Sequence, residues 1–237
     1  MSKWVFDGII LTNIKTKGTK MSKEVLKVKG VNHPKTQLGL LKMNTLIEAA
    51  EQLFEEVGFY QTSISDICKK ANTAVGTFYI YFDSKIDVYR YLIESYKKEI
   101  KSLLAASIEG CSTRYEKERE GIKCFIKYAL KKPTVYNLIW GSLSIDKQLF
   151  TDYYESFAKS YARSLSRDKD VSVSVDVTTV SYMLMGITNF LGLHAIFSDM
   201  NDAEIDEMMD RTVMPMLSSG IVNFTSGYQG GRDDNEK

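Results

Sequence analysis

Between Gly76 and Lys85 the chain reads GTFYIYFDSK, which places the hydroxyls of Thr77, Tyr79 and Tyr81 and the ammonium of Lys85 within one short stretch. Ser63 and Ser65 add two more hydroxyls just upstream. Hydroxyls and a lone cation are groups that hydrogen-bond to phosphate oxygens and base edges. They do not make a catalytic set. The only histidines are His33 and His194, which argues against a His-based dyad or a multi-His metal site. Cys68, Cys111 and Cys124 are scattered without metal-ligand spacing, and an odd count without a framework suits reduced thiols in a cytosol. No nucleophile–base or paired-carboxylate arrangement stands out. The expectation is a binding protein, not an enzyme, with no cofactor and no metal.

The elements that must hold these groups are short. Ile64, Ile67 and Cys68 fall on one face at helical spacing. Ser63 precedes them with Asp66 three residues later, which can cap a helix start. Ala71-Asn72-Thr73 forms the break, and Asn tolerates the left-handed conformation of a sharp turn. A second pattern runs from Ala74 to Phe82, with Val75, Phe78 and Phe82 on one face and Gly76, Thr77, Tyr79 and Tyr81 on the other. Two short helices across such a turn describe a helix-turn-helix, whose second helix can enter a DNA major groove. Lys85 follows Ser84 at the start of the next helix, where a cation opposes the helix dipole. It is therefore expected to serve a phosphate.

A preceding helix is predicted from Gln37 or Lys42 to Val57, with Leu46, Ile47, Ala50, Leu53, Phe54 and Val57 as its apolar stripe and Gly58 as its stop. Ser84, with Asp87 at the capping-box position, opens a long helix to about Ile108. Further helices are expected at about 113–131, 134–141, 145–166, 176–199 and 202–219, with breaks that include Gly141–Ser144. Val171–Val175 alternates like a strand but lacks an obvious partner and is assigned to a loop.

Ala49-Ala50, Leu53-Phe54, Gly58, Ser63, Asp66-Ile67, Ala71, Gly76-Thr77-Phe78-Tyr79, Tyr81-Phe82 and Ser84-Lys85 closely resemble the DNA-binding domain of TetR-type transcriptional regulators, over about Lys42 to Leu92. The chain departs from that pattern at Asn72-Thr73-Ala74, where Gly-Val-Ser is usual, and at Val75 and Ile80, which replace positions that are often basic. The resemblance implies an all-α protein. An N-terminal three-helix unit carrying the helix-turn-helix (residues 37–83) is expected to precede a larger helical ligand-binding and dimerisation domain (residues 84–224). It places DNA contacts at Ser63, Ser65, Thr73, Ala74, Thr77, Tyr79, Tyr81 and Lys85. Thr77 and Tyr79 are the candidates for base or groove contacts, and Ser63, Ser65, Tyr81 and Lys85 for phosphate contacts.

The net charge of +1 conceals an asymmetry. Residues 1–42 hold nine Lys against Asp7 and Glu24, a balance of +7, while the remainder holds 22 basic and 28 acidic residues, a balance of −6. A uniformly basic nucleic-acid coat is excluded, but a basic arm ahead of the helix-turn-helix is not. Residues 1–36 are expected to be that flexible arm and residues 225–237 a disordered tail. Met21-Ser22-Lys23 repeats Met1-Ser2-Lys3, so Met21 is a second candidate start, and nothing near the N-terminus reads as a signal peptide.

Val177 to Ser198 carries no Asp, Glu, Lys or Arg. Its length suffices for a membrane, but Thr178, Thr179, Ser181, Thr188, Asn189 and His194 dilute it. A helix buried from two directions is the expected form, one side toward its own domain and the other toward a second subunit, with Gly186 and Gly192 permitting close approach. The segment 202–219, with Ile205, Met208, Met209, Val213 and Met216 on one stripe, is expected to complete a homodimer seam with 176–199. Aromatic residues concentrate in the second half. Tyr136, Trp140, Tyr154, Phe157, Tyr161, Phe190 and His194 are the expected lining of an effector cavity, because buried Tyr hydroxyls need partners that a mostly apolar pocket could supply.

The combined expectation is a cytoplasmic homodimer that binds palindromic double-stranded operator DNA. It acts as a repressor released by a small apolar or amphipathic effector. The alternative is a helical lipid-binding or interaction protein whose helix-turn-helix no longer reads DNA.

Overall fold

The computed structural model describes residues 26–168 and 176–218. The Thr36 side chain accepts from the Gly39 amide and starts α1 (Gln37–Glu56). Met43, Leu46, Ala50 and Phe54 form the buried stripe of α1, and Gly58, at φ +84°, turns the chain away from its end. α2 (Ile64–Lys70) opens on a complete capping box between Ser63 and Asp66. Asn72 takes the left-handed conformation, φ +49°, and the chain re-enters helix as α3 (Val75–Tyr81). α4 (Lys85–Ser107) follows after two residues in extended conformation, Phe82 and Ser84, flanking Asp83.

The second half contains α5 (Arg114–Lys131), α6 (Pro133–Ile145), α7 (Lys147–Leu165), α8 (Val177–Phe197) and α9 (Asp202–Met208), then a π-helical turn over Met209–Val213 and α10 (Met214–Leu217). Capping boxes at Thr113/Glu116 and Asn201/Glu204 fix the starts of α5 and α9, and Pro133 occupies the first position of α6, where its missing N–H costs nothing.

Two expectations about these elements fail. The break at Gly141–Ser144 is absent, and α6 runs on to Ile145. Gly141 lies against the Tyr89 hydroxyl, 3.3 Å from where its Cβ would be, so the glycine serves packing. The expected continuous helix 202–219 is interrupted by the π turn, in which the Met214 amide reaches back to the Met209 carbonyl. Pro215 has no N–H to give an α-helical ladder here, and its ring crowds the carbonyl four residues back, so a wider turn relieves both.

Buried side chains form two clusters. The first joins α1–α4 to Val135, Leu138 and Ile139 of α6 and to Leu149 and Tyr153 of α7. The second joins Ile122 and Ile126 of α5 to Leu184 and Ala195 of α8 and to Ile205, Met209, Val213 and Leu217. The acidic face of α9 and the π turn lies on α5, pairing Asp202 with Lys127, Asp206 with Lys123 and Asp210 with Arg119. The stripe Ile205, Met209 and Val213 is thus buried inside its own chain, and only Met216 of that set stands exposed. Gly192 also faces inward, where its missing Cβ admits Phe125 of α5 at 3.3 Å, while Gly186 meets nothing within 4 Å.

The flexible arm expected over residues 1–36 does not extend to its last third. Residues 26–35 lie along the helix-turn-helix. The Asn32 amide donates to the Tyr81 carbonyl at 2.8 Å, the Asp83 amide donates to the Gly30 carbonyl at 3.0 Å, and Val31 packs on the first core cluster. A single bridge of this kind leaves no periodic trace in sequence. Residues 1–25, the loop 171–175 and the tail 225–237 lie outside the described residues.

Candidate nucleic-acid interface

The helix-turn-helix is held by short-range backbone and side-chain bonds. The Ser63 hydroxyl accepts from the Asp66 amide at 3.1 Å, and the Asp66 carboxylate accepts from the Ser63 amide at 3.1 Å. Bonds from the Ser63 hydroxyl and amide hold the Asp66 carboxyl below its ordinary range. At the turn, the Thr73 amide donates to the Cys68 carbonyl at 2.9 Å. Phe78, Tyr81 and Phe82 then press α3 onto α1, α2 and α4 at i, i+3 and i+4.

This stripe differs from the one expected. Val75 is 45% exposed because it is the first residue of α3 and projects past the open end of the helix. Tyr81 takes the inward place and is only 6% exposed, so it is a core residue before it can be a phosphate contact. The outward surface of α3 consists of Ala74, Val75, Gly76, Tyr79 and Ile80, with Thr77 half-buried at its edge. Ser65 is exposed on α2, Thr73 is half-buried in the turn, and Ser63 is exposed but engaged as the α2 cap.

Lys85 requires a correction. Its ammonium donates to the carbonyls of Phe59 and Thr62, both at 2.6 Å, and stands 4.3 Å from the centre of the Phe59 ring. Partial burial lowers its pKa. The carbonyls answer the charge that the α4 dipole opposes, and Lys85 acts first as a post joining the α1–α2 loop to α4. Ser84 shows a related difference. Its hydroxyl donates to the Asp87 carboxylate at 2.5 Å and does not cap the α4 amides. Asp87 in turn pairs with Arg90, which reaches Asp146 at the start of α7 at 2.8 Å.

The aromatic residues of the second half form a chain of rings on α6 and α7. Trp140 contacts Tyr136, Phe150 and Tyr154 at centroid distances of 6.3, 6.1 and 6.4 Å, and Tyr153 contacts Phe157 at 4.9 Å. Their hydroxyls are less free than expected. Tyr136 donates to the Asn189 carbonyl at 2.6 Å, and Tyr161 donates to the Glu118 carboxylate. Phe190 and His194 do not join this cluster. They stand on the outward face of α8, roughly half a turn from the buried Gly192. The same outward face carries Tyr182, Met183 and Phe197. α8 is long and apolar enough to cross a membrane by length and composition, and only 22% of its most apolar window is buried within the chain.

Sequence reasoning missed the ties between the two halves. The Tyr60 hydroxyl donates to the Ser144 carbonyl at 2.8 Å, the Tyr89 hydroxyl to the Leu138 carbonyl at 2.5 Å, and Thr134 bonds Glu55. The Tyr96 hydroxyl donates to Glu51 at 2.5 Å. These partners are 45 or more positions apart, beyond any helical repeat.

Residues 46–92 match the sequence model described as bacterial regulatory proteins, tetR family. An uncharacterized HTH-type transcriptional regulator of Bacillus subtilis (strain 168) is 52% identical over 44 residues, which span 19% of this chain and 23% of that protein. The fatty acid metabolism regulator protein of the same organism is 32% identical over 200 residues, covering 77% of this chain and 96% of that protein. A crystal structure of a TetR-family transcriptional regulator from Syntrophomonas wolfei superposes with a TM-score of 0.66 at 23% identity, over 78% of this chain and 98% of that one. The matched region contains the whole helix-turn-helix and the first turns of α4, and the similarity to the fatty acid metabolism regulator extends through nearly all of that protein's length. The chain belongs to the TetR family of bacterial regulatory proteins and is a DNA-binding transcriptional regulator.

Proposed function

We propose that this protein is a homodimeric repressor of fatty acid metabolism genes that leaves its operator when an amphipathic acyl compound binds among α5, α6, α7 and α8. The observation that carries the reading is the position of α6. One face of this helix, Val135, Leu138 and Ile139, is buried with α1 and α4. Its two ends are bonded to the reading unit through Thr134–Glu55 and Tyr60–Ser144. Its other face offers Tyr136 and Trp140 to the rings of α7 and to Asn189 of α8. A ligand that parts Trp140 from Tyr154, or Tyr136 from Asn189, displaces a helix on which α1 and α4 rest. The similarity to the Bacillus subtilis fatty acid metabolism regulator supports an acyl chain as the ligand class.

The exposed stripe of α8 supports the dimer. Phe190 is 65% and Phe197 80% exposed, alongside Tyr182 and Met183, on a helix that its own chain leaves largely uncovered. Apolar surface of this extent on a soluble chain marks an interaction face. Two such chains, related by a two-fold axis, would present their α3 helices to a palindrome with half-sites about one helical turn (~34–36 Å) apart or a multiple of it.

The test is selection of duplexes from a random pool, followed by titration of the selected site with and without a long-chain fatty acid. A palindromic consensus and a ligand-dependent loss of affinity of about 5–150-fold are expected, the scale of ordinary allosteric coupling. A protein that prefers no duplex at low salt while still binding the fatty acid would support the lipid-binding alternative instead.

A further inference from the structure

The outward surface of α3 is poor in groups that read bases by hydrogen bonds. From Thr73 to Phe82 there is no Lys, Arg, Asn, Gln, Asp or Glu, so this helix offers none of the side chains that pair bidentately with guanine or adenine. Val75 is 45% and Ile80 60% exposed, and Ala74, the N-cap residue before Val75, is exposed as well. Long-range attraction to phosphates is also weak here. Residues 26–83 hold six lysines (27, 29, 35, 42, 69 and 70) and six acids (48, 51, 55, 56, 66 and 83), a balance of zero.

Gly76 adds an independent observation. Glycine inside a helix weakens it relative to alanine. Here the backbone is not in the positive-φ region, and a Cβ would meet nothing within 4 Å. Nothing among the described residues requires a missing side chain at this position. A glycine of this kind suits close approach of another molecule to the backbone.

We propose that α3 recognises its half-site chiefly through thymine C5-methyl groups. Val75, Ile80 and Ala74 would pack on methyls along the major groove, with Gly76 admitting the helix close to the base edges. Thymine is the only base that presents an apolar group in that groove, so an uncharged, branched aliphatic surface selects T-rich steps by contact and by exclusion of water. The inference rests on α3 being the DNA-reading helix, and it adds the chemistry by which that helix reads.

The experiment uses the full chain and its selected duplex, with deoxyuridine replacing thymidine one position at a time. Each contacted methyl should account for about fourfold in affinity, the worth of one buried methyl-sized group, at two or more positions per half-site. Val75→Ser should abolish part of that penalty. Gly76→Ala should melt no lower than the wild type yet bind about 5–150-fold more weakly, as an overpacked contact does. Specific binding that is indifferent to uracil throughout, or a G·C-rich half-site under α3, overturns the proposal and leaves the regulator reading intact. Absence of any duplex preference at low salt overturns both together. A Gly76→Ala variant that binds like the wild type removes the close-approach argument.

Discussion

Gly30 lies directly over Asp87, so that a Cβ on residue 30 would stand 2.5 Å from the Asp87 Cγ. Gly30 also has φ +76°, which L side chains rarely adopt. Gly30→Ala therefore meets backbone strain and a clash with a buried carboxylate whose partners are Ser84 and Arg90. A destabilisation of about 1–3 kcal/mol is expected. Thermal and urea denaturation would measure it, and an unchanged midpoint would mean that the 26–35 segment does not hold the start of α4.

Glu51 gives the stability curve a recognisable sign. Burial, the largest influence, raises its pKa despite the bond from Tyr96, which acts the other way. A raised carboxyl binds its proton more tightly in the folded state, so its contribution is present below the unfolded value, roughly pH 4.3, and is lost as pH rises through the folded value. Glu51→Gln keeps an acceptor for Tyr96 without the buried charge. It should raise the melting temperature at pH 7 and lose that advantage toward pH 4. Asp146 works in the opposite sense. Burial pushes it up, but Arg90 and the Leu149 amide outweigh burial and leave it lowered, so its support fades as the solution is acidified.

Phe190→Asp places a charge in the middle of the exposed α8 stripe. The variant should remain folded by circular dichroism, because the side chain is largely exposed in the single chain. It should sediment as a monomer and lose affinity for a palindromic duplex. A variant that stays dimeric would move the seam elsewhere.

Removal of residues 1–25 takes away five lysines (3, 15, 17, 20 and 23) and two acids (7 and 24) while sparing the packed 26–35 segment. If the arm neutralises phosphates, the slope of log affinity against log salt should flatten by about 0.9 for each phosphate that is no longer neutralised. An unchanged slope would show that the arm lies free of DNA.

Tyr60→Phe removes only the hydroxyl that reaches the Ser144 carbonyl. Stability should fall by about 0.5–1.5 kcal/mol or less, the net value of one hydrogen bond. Ligand-dependent release from DNA should be blunted by more than operator affinity is, measured as the ratio of affinities with and without fatty acid. Equal changes in both affinities would confine Tyr60 to a structural role.

Local signals in the sequence are legible because their causes are local. The Ser63/Asp66 box, Asn72 at the turn and Gly58 after α1 all stand where spacing places them. Val75 and Tyr81 exchange roles because Val75 stands at the open first turn of α3, while Tyr81 lies only about 60° around the helix from Phe78 and can share its buried face. The role of Lys85 is not legible, because its carbonyl partners, Phe59 and Thr62, lie across a loop whose path no periodicity encodes. The fate of the stripe Ile205, Met209 and Val213 is equally hidden. An apolar face states that it will be buried, and only the charge pattern of α5 opposite the acids of α9 decides against what.

The first core cluster carries a consequence for how the molecule melts. Val135, Leu138 and Ile139 share one apolar interior with α1, and Leu149 and Tyr153 share it too. A reading head built in this way shares its core with α4, α6 and α7, so it should not detach as a separate cooperative unit. Its amides and those of α6 should exchange with solvent in a single late opening. A fragment cut at Asp83 should behave as a fluctuating chain, which makes this head a poor cassette for grafting onto other proteins.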